Sequence, residues 1–95
     1  MAAYVMGEID VKNPAAYDDY RKQVLATVQK YGGRFLVRGG RSEALEGAAA
    51  AKRLVLLEFP SYEKALEWYR SADYAPLIKL RQSASQGRLL LLEGA

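Results

Sequence analysis

From Ala3 to Val11 the chain alternates. Val5, Gly7, Ile9 and Val11 fall on one side and Tyr4, Met6, Glu8 and Asp10 on the other, which predicts a strand with one apolar face. The period changes at Asn13-Pro14, an N-cap residue followed by proline at the first helical position. Tyr17, Tyr20, Val24, Thr27/Val28 and Tyr31 then recur at steps of three or four, an amphipathic helix that Gly32-Gly33 ends. Arg34 to Arg38 reads as a second strand, with Phe35 and Val37 opposed to Arg34, Leu36 and Arg38. Gly39-Gly40 suggests a bulge there, after which Ser42 to Glu46 is expected to continue the pairing. Gly47 and Ala48 to Ala51 make a loose connection to a third strand, Arg53 to Phe59, with Val55, Leu57 and Phe59 set against Leu54, Leu56 and Glu58.

A second helix opens at Ser61, expected to bury Tyr62, Ala65, Leu66 and Tyr69, and carries the sole tryptophan, Trp68, into a break at Ser71-Ala72-Asp73. A short helix follows with Tyr74, Leu77, Ile78 and Arg81 on one face, and Gly87 leads into a last strand, Arg88 to Glu93. The order βαββαβ predicts an α+β, ferredoxin-like domain spanning 1–95, a four-stranded antiparallel sheet with its helices on one face.

The other sheet face must meet water, a ligand or a partner. Strand parity puts Tyr4, Met6, Leu36, Leu54, Leu56, Leu89 and Leu91 there, where a solvated sheet would carry polar residues. Four strands of ~18 Å at ~4.8 Å spacing give roughly 350 Å² of projected area, at the edge of what a monomer leaves exposed. The pattern predicts a homodimer packed sheet to sheet, burying more than ~1,000 Å² through Leu36, Leu54, Leu56, Leu89 and Leu91.

Several spaced segments carry a resemblance over nearly the full length. They are Asn13-Pro14, the run Tyr31 to Gly40, Leu45-Glu46-Gly47, Glu58-Phe59-Pro60-Ser61, Trp68-Tyr69-Arg70-Ser71 with Tyr74, and Leu92-Glu93-Gly94. In these the chain resembles the small bacterial proteins of domain of unknown function 1330, in the dimeric α+β barrel superfamily. The resemblance implies the fold and dimerisation, and no activity. The wider superfamily includes cofactor-independent monooxygenases, lactone isomerases and haem-dependent peroxidases, and the haem branch typically uses a histidine ligand.

Composition narrows the chemistry. With no cysteine and no histidine, disulfides, thiolate nucleophiles, Cys-ligated metals and imidazole bases are excluded, and neither a metal nor a cofactor is expected. A net charge of +3, scattered along the chain, does not argue for nucleic acid. Nor does the sheet, because Phe35 points toward the helices and Tyr4 alone makes no stacking platform. No basic region with an apolar run follows the N-terminus, and no apolar stretch approaches 18 residues, so a cytoplasmic protein without a membrane role is expected.

Two constellations could carry chemistry. Glu8, Arg38 and Glu58 share the open face by parity. There Arg38 could bind a carboxylate or enolate while Glu8 or Glu58 accepts a proton, or the three could form an ion-paired rim. Arg81 falls in an apolar helical stripe, where a buried charge needs a partner. With Trp68, Tyr69 and Tyr74 it could line an opening for a small organic acid; alternatively it snorkels to solvent or pairs with Asp73 or Glu58. Two functions follow. One is a dimer that binds a small organic anion through Arg38, Trp68, Tyr74 and Arg81. The other is a cofactor-independent isomerase, monooxygenase or lyase acting on such an acid, with Glu8 or Glu58 as base.

Overall fold

The computed structural model describes residues 1–49 and 53–95. The elements run β1 (Ala3–Val11), α1 (Pro14–Lys30), β2 (Arg34–Arg38), β3 (Arg53–Phe59), α2 (Tyr62–Tyr69), α3 (Ala75–Ala84) and β4 (Ser85–Glu93). All pairings are antiparallel and the sheet order is β2-β3-β1-β4, so the first strand is central. This is the expected α+β, ferredoxin-like architecture, with the second helical segment split into α2 and α3.

Local chemistry sets the boundaries. Asn13 Oδ1 accepts from the Ala16 N–H and Ser61 Oγ from the Lys64 N–H, capping α1 and α2. The α1 helix closes when Gly32, at φ +80°, donates to Gln29 O and Gly33 to Val28 O, a turn that costs glycine no Cβ clash. At the α2–α3 break Ser71 Oγ donates to Trp68 O and accepts from the Tyr74 N–H, so one buried hydroxyl satisfies both sides of the turn.

Ala3, Val5, Ile9, Leu57 and Phe59 of the sheet bury against Tyr17, Tyr20, Val24 and Val28 of α1, Ala65 and Trp68 of α2, and Tyr74 and Leu77. The stripe expected on α2 is corrected: Trp68 and Ala65 are its buried residues, whereas Tyr62 and Tyr69 lie at its exposed margins.

Three further expectations are corrected. The bulge lies between Phe35 and Val37 rather than at Gly39-Gly40, because the edge strand β2 takes up an extra residue at Leu36. Gly39, at φ +76°, instead ends the strand and gives its N–H to Leu54 O. Ser42 to Glu46 does not continue the pairing, since residues 39–49 form no strand; Ala50 and Ala51 of the expected connection lie outside the described residues. Finally, β4 starts at Ser85 and opposes Leu91 to Val5 and Leu89 to Gly7, which turns both leucines toward the helices. Leu90 and Leu92 take their places on the open face.

That face has a defined order. Val37, Leu56, Met6 and Leu90 stand side by side across all four strands. On one side of this row lie Arg34, Glu58, Tyr4 and Leu92, and on the other Leu54, Glu8 and Arg88. Arg34 Nε donates to Glu58 at 2.8 Å and Arg88 Nε to Glu8 at 2.8 Å, so an apolar band is flanked by two ion pairs at diagonal corners.

Candidate functional site

The bulge at Leu36 decides where the arginines go. One extra residue reverses strand parity, so Arg38 pairs with Val55 and faces the helices together with Phe35. The expected Glu8–Arg38–Glu58 constellation is therefore not formed. Arg38 stacks over the Phe35 ring at 4.2 Å and donates to Arg21 O at 2.8 Å, while Glu8 and Glu58 are on the other face, each held by its own arginine. The two carboxylates are also apart along β1, Glu58 opposing Tyr4 and Glu8 opposing Leu54.

Between sheet and helices lies a small cavity of about 20 Å³, room for about one water molecule. Val5, Ile9, Val55, Leu57 and Leu89 form its floor, and Tyr17, Tyr20, Val24, Trp68 and Tyr74 its roof. Phe35 and four arginines, Arg21, Arg38, Arg53 and Arg81, complete the lining, and among the described residues no aspartate or glutamate joins them. Gly7 lets the floor close over it: a Cβ there would stand 2.6 Å from Val55 Cγ2 and 3.0 Å from Leu89 Cδ2, so these two side chains already fill its place.

Arg81 is the unusual member. It is 6% exposed, so it does not snorkel, and its Nε is buried with no hydrogen-bond partner among the described residues. Neither expected carboxylate reaches it: Asp73 pairs with Lys30 at 2.7 Å and Glu58 with Arg34. The guanidinium instead hydrogen-bonds the Tyr74 hydroxyl, and among the described residues it has no counter-charge, a costly arrangement for a buried cation. On its other side Arg81 borders a second hollow of about 380 Å³, framed by Ala65, Leu66 and Tyr69 of α2 and by Leu89 and Leu91 of β4.

Tyr74 and Trp68 are fully buried and stack at 4.1 Å, with Trp68 Nε1 donating to Thr27 Oγ1 at 3.0 Å. The Tyr74 hydroxyl meets that of Tyr20 at 2.8 Å. Burial pushes the pKa of both phenols above the ordinary tyrosine value, and Arg81 pulls both the other way. Both hydroxyls thus stay protonated beside the cation.

Trp68, Tyr74, Arg81 and Arg38 all line this cavity, and Arg38 does so only because the bulge turns it away from the open face on which strand parity puts it. Arg53, Arg21, Tyr17 and Tyr20 were not anticipated as site residues. For Arg53 a signal exists in the sequence, since it shares strand parity with the inward-facing Val55, Leu57 and Phe59. Its Nε is, among the described residues, the second buried side-chain nitrogen without a hydrogen-bond partner, and its guanidinium lies 5.4 Å from the Tyr17 ring centroid. Among the described residues no cluster of acidic groups could hold a metal ion, and no helix is long and apolar enough to cross a membrane.

Residues 2–95 match the domain of unknown function DUF1330. The chain belongs to this family. Solved structures of similar fold include a protein of unknown function, RPA0582 of Rhodopseudomonas palustris, at 20% identity and a TM-score of 0.80, covering 99% of this chain and 82% of that one. The cofactor-independent oxygenase SnoaB of Streptomyces nogalater is similar at 10% identity and a TM-score of 0.71, covering 99% and 93%. HapK of Hahella chejuensis is similar at 15% identity and a TM-score of 0.61, covering 98% and 92%. No curated protein matches the chain. At these identities the likeness concerns the fold, an α+β barrel, which this DUF1330 member shares along almost its whole length.

Proposed function

We propose that this DUF1330 protein binds a small organic anion between its sheet and its helices, with Arg81 as the charge that receives it. The observation that carries the reading is the buried guanidinium that no carboxylate among the described residues pairs with, in a cavity lined by arginines, tyrosines and aliphatic side chains. Arg81 meets the acid's charge, Trp68 and Tyr74 contact its apolar body, and Arg38 closes the mouth. The cavity admits about one water as it stands, so the acid enters when the exposed Arg21 and Arg38 side chains swing out. The protein acts as a cytoplasmic homodimer, two apolar bands packed against each other and the ion pairs Glu58–Arg34 and Glu8–Arg88 at the margin. A thermal-shift screen of small carboxylic acids tests this. Stabilisation by an acid that Arg81→Met abolishes and Arg38→Met reduces supports the site; no response from any acid removes it.

The fold shared with a cofactor-independent oxygenase favours one second reading, in which the bound acid is turned over. Glu8 and Glu58 lie on the other sheet face, so the proton-handling groups beside a bound acid are the hydroxyls of Tyr20 and Tyr74. Dioxygen consumption that depends on an acid found in the screen, and that Tyr20→Phe removes, distinguishes turnover from binding alone.

A further inference from the structure

Two buried side-chain nitrogens lack a hydrogen-bond partner among the described residues, Nε of Arg53 and Nε of Arg81. Both belong to arginines that line the same cavity, one rising from β3 in the sheet and the other from α3 in the helix layer. From this we infer that the anion is a dianion, a small dicarboxylate with one carboxylate at Arg81 and the other at Arg53. The inference rests on the anion-binding reading and assigns Arg53, which that reading does not use, as a second receptor.

Unsatisfied buried donors are rare, and donors on charged groups are the most costly of them. Two such Nε donors in one small cavity, with no acidic residue in its lining among the described residues, leave two donors on charged groups to be met from outside. A single carboxylate satisfies one and leaves the other as it was. A second carboxylate removes that penalty and also relieves the repulsion among the cavity's guanidiniums. The chemistry between the two ends is apolar: Ile9 and Val55 of the floor and Tyr17 and Tyr20 of the roof offer contact to a short methylene chain. A guanidinium presents its donors in a planar fork suited to carboxylate, which favours a dicarboxylate over a molecule with one acid and one hydroxyl end. The surroundings also separate the two receptors. Arg81 is nearly inaccessible, whereas Arg53 lies beside Tyr17 and borders a surface hollow near Asp18 and Arg21, so the acid enters with its inner carboxylate first.

Calorimetric titration of the wild type with succinate, glutarate and adipate, against butyrate, pentanoate and hexanoate, reads the inference directly. At least one dicarboxylate is expected to bind about tenfold or more tightly than the monocarboxylate of equal length, the worth of one further charge-assisted contact. Arg53→Met is expected to raise the Kd of that dicarboxylate to the monocarboxylate's value and to leave monocarboxylates unchanged, while Arg81→Met abolishes binding of both. Arg53→Lys, which keeps the charge without the fork, should fall between, and it serves as the test should Arg53→Met not fold. Equal binding of mono- and dicarboxylates, or an Arg53 variant that weakens both alike, overturns the dianion while leaving an anion site at Arg81. Failure of every acid to bind the wild type overturns both.

Discussion

The hydroxyls of Tyr20 and Tyr74 meet at 2.8 Å, joining α1 to the start of α3 in a buried phenol pair. Each satisfies the other where water is excluded. Tyr74 also hydrogen-bonds Arg81, so Tyr74→Phe, which strands Tyr20, is expected to cost about 1–3 kcal/mol and Tyr20→Phe less. Removing both deletes donor and acceptor together, and the double variant should be no less stable than the worse single. Urea denaturation of the four proteins checks this, and additive losses would contradict it.

The same pair makes stability depend on pH at the alkaline end. Burial raises the folded-state pKa of both phenols above 10.0, the ordinary tyrosine value. The unfolded chain can release those protons once pH exceeds 10, while the folded chain holds them. Their contribution is therefore fully present below pH 10 and is lost as pH rises beyond it. The unfolding free energy is expected to fall more steeply above pH 10 in the wild type than in the Tyr20→Phe/Tyr74→Phe variant. Parallel curves would show that the pair does not titrate with folding.

The role proposed for Arg81 would set binding against stability. Methionine fills much of the same volume without a charge, so Arg81→Met should raise the stability of the acid-free protein by about 1–3 kcal/mol. In a domain of this size each kcal/mol moves Tm by about 4–8 °C. A higher Tm together with lost acid binding is the expected signature. A variant that melts below the wild type would show that Arg81 is structural.

The proposed dimer is tested at the centre of the open face. Leu56 lies in the row with Val37, Met6 and Leu90, where a carboxylate would be desolvated without a partner. Such a charge costs about 3–5 kcal/mol, so Leu56→Glu should raise the dimer dissociation constant at least about a hundredfold. Sedimentation velocity at micromolar concentration should show a dimer for the wild type and a monomer for the variant. A wild type that sediments as a monomer would remove the sheet-to-sheet assembly.

How legible this was depended on the pattern in each segment. β1 and α1 were readable because a clean period of two gives way to steps of three and four at Asn13-Pro14. The face of β4 was not, because Leu89 to Leu92 is an unbroken apolar run and parity needs alternation. The bulge at Leu36 leaves no mark either. It requires no positive φ, so no glycine signals it, and the nearby Gly39-Gly40 drew the expected bulge to the wrong place. That one residue moved Arg38 from the open face into the cavity lining. Arg81 was readable as a charge in an apolar stripe, but its lack of a carboxylate among the described residues was not. Only the fold shows that Asp73 is taken by Lys30 and Glu58 by Arg34.

The claim that Arg81 receives an organic anion is tested most directly at its own Nε–H. A buried guanidinium exchanges slowly enough with water to give a resolved 15N–1H signal, assignable by its loss in Arg81→Met. Titration of the labelled protein with succinate or glutarate is predicted to move that signal progressively to saturation, as a hydrogen bond to carboxylate forms where none exists now. A signal that stays in place at millimolar concentrations of every acid tried would contradict the account.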